Sequence, residues 1–174
     1  MTTFMSQIDS ILSKEMLTRQ DIVYLLKAEG DEKTRLFEAS QSIKSQYVGK
    51  RVYFRGLIEF SNICSKNCYY CGIRKANQKA ERYNLTDGEI LDAVRFAYEN
   101  QYGSVVLQGG ELSSPAFTRR ISGLLREIRD ISEGTLGVTL SLGEQPEEVY
   151  REWLDHGAHR YLLRIEASNR ELYH

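Results

Sequence analysis

Every cysteine of this chain lies in one short stretch, Ile63-Cys64-Ser65-Lys66-Asn67-Cys68-Tyr69-Tyr70-Cys71-Gly72. The spacing C-x3-C-x2-C offers three thiolates to a single centre. In a reducing compartment such a cluster signals metal, whereas a disulfide scaffold uses an even number of cysteines. Two kinds of centre are open at this point. Structural zinc takes four ligands, commonly from paired C-x2-C units, and here there is one triplet with no fourth cysteine. One of the remote histidines, His156, His159 or His174, would have to fold back to complete it. Iron–sulfur clusters are held by thiolates, and a four-iron cluster with three protein ligands keeps one iron open to an outside ligand. Such an iron can do chemistry as well as store an electron.

The rest of the chain must position that loop. It has 174 residues and a formal net charge of −1, so nothing electrostatic points to nucleic acid or an anionic membrane. Charged residues of both signs are interspersed, as on an ordinary soluble surface. The N-terminus, MTTFMSQIDSILSK, lacks the charged start and apolar run of a signal peptide. No apolar run reaches the roughly 18–20 residues of a membrane helix. A cytoplasmic location is therefore expected.

Before residue 50 the pattern is helical. Leu17 to Ala28 carries Ile22, Val23, Leu25 and Leu26, with Thr18 and Asp21 spaced as an N-terminal cap; a second run extends from Gly30 to Gly49. A strand–helix alternation follows. Val52–Phe60 predicts a strand leading straight into the cysteine loop. Thr86 and Glu89 form a capping box for a helix stopping near Gly103. The next strand is Ser104–Gln108, and Ser114-Pro115 opens a helix. Leu136–Leu142, Pro146–His156 and Tyr161–Glu166 predict strand, helix and strand, with another helix starting over Asn169–His174.

Alternation at this spacing argues an α/β fold with a parallel sheet. Only about the first four strand–helix units of a (β/α) barrel are visible, where a closed barrel needs about eight strands. The expected organisation is an N-terminal helical segment, 1–49, and the front half of a barrel, 50–174, in a longer protein.

Two further constellations stand out. Gln108-Gly109-Gly110-Glu111 ends the second strand; a plain strand-to-helix turn accounts for the glycines, and so does close backbone approach to a ligand. In the third strand Thr139 and Ser141 share one face, opposite Val138, Leu140 and Leu142. In the fourth, Arg164 and Glu166 share a face opposite Leu163 and Ile165. Polar side chains inside a barrel must be paired or bound to something. An Arg–Glu pair at the barrel mouth and a ligand pocket both meet that requirement.

The cysteine loop sits at the C-terminal end of the first strand, where such folds place their sites. C-x3-C-x-aromatic-C, with Tyr70 as the aromatic, resembles the radical S-adenosylmethionine (radical SAM) superfamily. The segments IEFSNICSKNCYYCGIRKAN, RYNLT, VVLQGGE, TLSLGE and RYLLRIEASNRELY resemble the HydE-type FeFe-hydrogenase maturases, which are related to biotin synthase and methylornithine synthase. The match runs over most of residues 50–174. HydE-type proteins often carry Ser where this chain has Gly109, a change that leaves the backbone role intact.

The resemblance implies a radical SAM enzyme of TIM-barrel type. Cys64, Cys68 and Cys71 would hold a 4Fe–4S cluster, and SAM would bind its open iron. SAM would be cleaved to methionine and a 5′-deoxyadenosyl radical. Gln108, Gly109, Gly110 and Glu111 would receive the methionine end of SAM, and Glu166 would also bind SAM. Thr139, Ser141 and Arg164 would line the cavity near SAM or substrate, and Arg74, Asn77, Arg82 and Tyr83 match the family without an assigned role. A ferredoxin- or flavodoxin-type electron donor, a small-molecule or organometallic substrate and other hydrogenase maturases are the implied partners. Methylornithine synthase-like or biotin synthase-like chemistry, or a non-catalytic iron–sulfur or zinc protein, are the alternatives.

Overall fold

The structure is a computed structural model that describes residues 6–165, 168, 169 and 171. It divides into two compact units, Met1–Val52 and Tyr53–His174. In the first, three helices follow one another: α1 (Gln7–Leu12), α2 (Arg19–Leu26) and α3 (Gly30–Tyr47). The cap expected at Thr18 is present. The Asp21 backbone N–H bonds to the Thr18 hydroxyl, and the Asp21 carboxylate accepts from the Thr18 N–H at 2.8 Å. Asp21 also receives Lys14 Nζ at 2.7 Å. That bond, with the Thr18 bonds, holds its carboxyl down at about 2. Arg35 of α3 reaches Asp9 of α1 at 2.7 Å.

The second unit is built on a parallel sheet. Its strands are β1 (Arg55–Glu59), β2 (Ser104–Gln108), β3 (Gly137–Ser141) and β4 (Ala158–Tyr161), in spatial order β1-β2-β3-β4. Each strand thus pairs with its sequence neighbour, the order of a (β/α) barrel; doubly wound sheets reverse order at a switch point. Helices α4 (Asp87–Glu99), α5 (Pro115–Ile131) and α6 (Glu147–Asp155) connect the strands. The Thr86–Glu89 capping box forms, and Ser114 caps α5 with Pro115 in its first turn. Among the described residues no helix is long and apolar enough to cross a membrane.

Alternation along the strands separates two faces. Val105, Leu107, Val138, Leu140 and Leu142 are buried with Ile90, Val94, Ile121, Leu124, Leu125, Ile128 and Trp153 from the helices. Trp153 Nε1 donates to the Thr118 carbonyl at 3.2 Å, which satisfies its one polar atom inside the core. The opposite face carries rows set by register: Arg55, Ser104 and Gly137; then Leu57, Val106, Thr139 and Arg160; then Glu59, Gln108 and Ser141.

Three boundaries differ from expectation. The first strand is shorter, because residues 52–54 precede the paired stretch. Helix α4 ends at Glu99, ahead of the stop expected near Gly103, and Gln101 takes a left-handed conformation at φ 58. Gly103 itself sits tight against Tyr53, where an added Cβ would meet the Tyr53 Cβ at 3.2 Å. The fourth strand is displaced toward the N-terminus. It runs Ala158–Tyr161 where the apolar run predicted Tyr161–Glu166. Pairing with β3, through an irregularity at Val138/Thr139, decides its position, and the last bond to β3 is Leu162 N–H to the Leu140 carbonyl at 2.8 Å. The helix start expected over Asn169–His174 falls mostly outside the described residues.

Leu140 is fully buried at the centre of the core. Leu140→Ala is expected to cost about 2–5 kcal/mol by lost transfer energy and cavity formation, read from urea unfolding. Asp21 is a depressed carboxyl, so its contribution is complete above pH 3.8 and is lost as pH falls toward about 2. The difference in melting temperature between wild type and Asp21→Asn should therefore shrink on going from pH 6 to pH 2.

Candidate metal and cofactor site

Residues 60–85 leave β1 and return to α4, and their path is fixed by hydrogen bonds rather than by regular structure. Phe60 N–H donates to the Gln108 carbonyl at 3.0 Å, continuing the β1–β2 ladder one residue past the strand. Ser61 then pairs antiparallel with Asn84. Between them lies the cysteine loop. A run of turns follows Cys68: Cys71 N–H to the Cys68 carbonyl, Arg74 N–H to that of Cys71, Asn77 N–H to that of Arg74. Two bonds tie the front of the loop to its rear, Lys75 N–H to the Lys66 carbonyl at 2.8 Å and Ala76 N–H to Asn67 Oδ1 at 3.2 Å.

All three cysteines are unpaired thiols, partly exposed. Among the described residues, no three His, Cys, Asp or Glu side chains are grouped as a single-ion site. No histidine joins the cysteines there. Three partly exposed thiols on one loop are a donor set that a thiolate-held cluster with one open iron can use.

The loop after β2 presses directly on the cysteine loop. At Gly110 an added Cβ would meet the Ile63 carbonyl oxygen at 2.2 Å and Cys64 Cβ at 2.7 Å. The absence of a side chain here permits contact between the two loops. Glu111 follows, and all of its polar groups bind the protein. Its N–H donates to Cys64 Sγ at 3.4 Å, and its carbonyl accepts from the Ser65 N–H at 2.9 Å and hydroxyl at 2.8 Å. Its carboxylate takes Lys66 Nζ at 3.1 Å and the Glu144 N–H at 3.0 Å. The Lys66 ammonium is held above its usual range, chiefly by that bond to Glu111. Gly143, at φ 76, makes room, since a Cβ there would lie 2.4 Å from the Glu111 side chain. Tyr161 fixes the same turn through its hydroxyl, which donates to the Gly143 carbonyl at 2.6 Å. Burial raises that phenol.

Of the residues singled out in the sequence, Gln108 and Ser141 pair at the strand ends, the Gly109 N–H donates to the Ser141 carbonyl, and Gly110 and Glu111 touch Cys64. Gln108 Nε2 also donates to Glu59 Oε1 at 3.2 Å. A cavity of about 170 Å³ lies against Glu59, Asn62, Ile73, Tyr83, Gln108 and Gly109. Glu59 went unremarked in the sequence, although strand alternation placed it on the polar face. Thr139 stands one row lower, and its neighbour across the sheet is Arg160. Arg164, expected on the fourth strand, lies beyond its end and is exposed. The strand's displacement is the reason. Glu166 lies outside the described residues. Tyr70 is 69% exposed.

The Radical SAM superfamily profile matches residues 58–174. With the neighbour-ordered parallel sheet and the three-thiol loop at the end of its first strand, the chain belongs to the radical SAM superfamily. Among characterised relatives, it is 44% identical over 135 residues to the [FeFe] hydrogenase maturase subunit HydE of Thermotoga maritima, covering 77% of this chain and 37% of that protein. It is 27% identical over 167 residues to biotin synthase of Staphylococcus aureus, covering 94% of this chain and 49% of the enzyme. Its fold superposes on the crystal structure of methylornithine synthase with a TM-score of 0.69 at 24% identity, over 97% of this chain and 50% of that one. The chain therefore spans half or less of the length of these relatives.

The contact distances lead to a graded prediction. Gly110→Ala and Gly143→Ala should each displace the cysteine loop or its support, seen as a loss of more than about half of the iron taken up on reconstitution. Gly72→Ala, with nothing within 4 Å of the added Cβ, should retain wild-type iron content.

Proposed function

We propose that this chain supplies the cluster- and SAM-binding part of a radical SAM enzyme, one that serves assembly of the diiron cofactor of FeFe-hydrogenase. The observation that carries the reading is one short loop after β1 that bears three partly exposed free thiols, with the Glu111 N–H directed at the first of them. Cys64, Cys68 and Cys71 would hold the 4Fe–4S cluster. When bound, the cluster and SAM supply reductive cleavage of SAM to methionine and a 5′-deoxyadenosyl radical.

The chain's residues position and tune. The N–H on Cys64 Sγ would bias the reduction potential of a cluster that this sulfur ligates. Gly109 and Gly110 would receive the methionine end of SAM by resemblance to the superfamily; the space that side chains would take there is filled by Phe60 and the cysteine loop. The Glu111 carboxylate has lone pairs beyond the two its partners use, so it can still accept from an ammonium. Gln108, Thr139 and Ser141 line the same face of the sheet. Arg164 and Glu166 follow as SAM or substrate contacts by resemblance to the superfamily. Tyr70 would shield the cluster from outside. An iron–cysteine carbonyl/cyanide precursor from a partner maturase is the proposed substrate, with a ferredoxin or flavodoxin as electron donor; the 44% identity to HydE supports this choice. Biotin synthase-like chemistry is the second reading, favoured by similarity that extends over 94% of the chain.

Anaerobic reconstitution tests the proposal. The wild-type chain should bind about four irons and four sulfides, and SAM should alter the electron paramagnetic resonance of the reduced cluster. Cys68→Ala should lose both properties. A colourless protein that prefers zinc and takes up no iron would refute the reading.

A further inference from the structure

Arg82 lies eleven residues after the last cysteine, in the returning limb of the loop, and its guanidinium reaches back across the loop's neck. Nη1 donates to the Asn62 carbonyl at 2.7 Å and the Ile73 carbonyl at 2.8 Å. Nη2 donates to the Arg74 carbonyl at 2.7 Å and the Asn77 carbonyl at 3.3 Å. Asn62 is two residues before Cys64, and Ile73 is two residues after Cys71. One planar group therefore joins the two limbs between which all three cysteines hang.

The other two acceptors matter as much. The Arg74 carbonyl already accepts from the Asn77 N–H, and the Asn77 carbonyl from the Ala80 N–H. Arg82 thus caps the turn series that begins at the Cys68 carbonyl. Its own position is set independently. Asn62 Oδ1 accepts from the Tyr83 N–H at 2.9 Å, and Asn62 Nδ2 donates to the Glu81 carbonyl at 2.7 Å, bracketing Arg82 on both sides. A loop without helix or strand leaves its carbonyls without ladder partners. A charged fork with fixed geometry can satisfy four of them at once, which a point-charge ammonium cannot.

We propose that Arg82 sets the shape of the three-cysteine loop before any metal arrives, and so acts as a positioning residue for cluster insertion. The metal part of this rests on the reading of the loop as a 4Fe–4S site; the shape part does not.

The test compares the full 174-residue chain with Arg82→Gln and Arg82→Lys. In the metal-free proteins, amide hydrogen exchange over residues 62–77 should accelerate about tenfold or more in Arg82→Gln, while the strands and α5 keep their protection. Arg82→Lys should not restore it. Alkylation of the three thiols should accelerate in parallel, and iron bound after reconstitution should fall by about half or more. Wild-type exchange in Arg82→Gln, or full rescue by Arg82→Lys, would overturn the proposal. So would loss of protection throughout the sheet, which would make Arg82 a general stabiliser. If the wild-type chain itself takes up no iron, the cluster reading fails, and the exchange data still judge the shape claim.

Discussion

The contact between Gly110 and the Ile63 carbonyl sets the geometry on which the site depends. With the two backbones this close, the N–H of Glu111 reaches Cys64 Sγ and its carbonyl reaches Ser65. A side chain at position 110 would clash with the Ile63 backbone and force the two loops apart. The contact depends in turn on the parallel register of β1 and β2, in which Glu59 faces Gln108. Equal register brings both strands to an end at one level, so their exit loops meet side by side.

Charge holds this junction from the outside. Lys66, between the first two cysteines, binds the Glu111 carboxylate, which also receives the Glu144 N–H from the turn after β3. Three successive strand exits are thereby coupled through one side chain. The ion pair is half exposed on the lysine side, so its worth lies in registration of the loops more than in stability. Arg82 does the corresponding work on the far side of the cysteines, where it binds carbonyl groups with no regular partners. Together the two cations hold a thiol-rich loop that has no apolar core of its own.

Much of the framework was legible in the chain. Thr86 with Glu89 and Ser114 with Pro115 announced their helices, because caps are local chemistry. Alternation of Val138, Leu140 and Leu142 against Thr139 and Ser141 identified the buried face, since strand side chains alternate whatever the partner. The fourth strand was misplaced because Leu162, Leu163 and Ile165 form an apolar run while Ala158-His159-Arg160-Tyr161 does not. Pairing with β3 outweighs composition there. As a result Arg160, not Arg164, stands beside Thr139. Nothing in the local sequence around Glu111 announces that its carboxylate binds Lys66 and the Glu144 N–H.

The sequence by itself determined the donor set, three thiols at fixed spacing, and the order of elements around them. Both are properties of neighbouring residues, set by covalent spacing and local hydrogen bonding. Only the tertiary structure decided which groups surround the thiols: Glu111 through its backbone, Lys66 through Glu111, and Arg82 through four carbonyls. These contacts join residues up to 47 positions apart. They exist because strand register and a bare glycine bring the chain segments together, and no local pattern records that meeting.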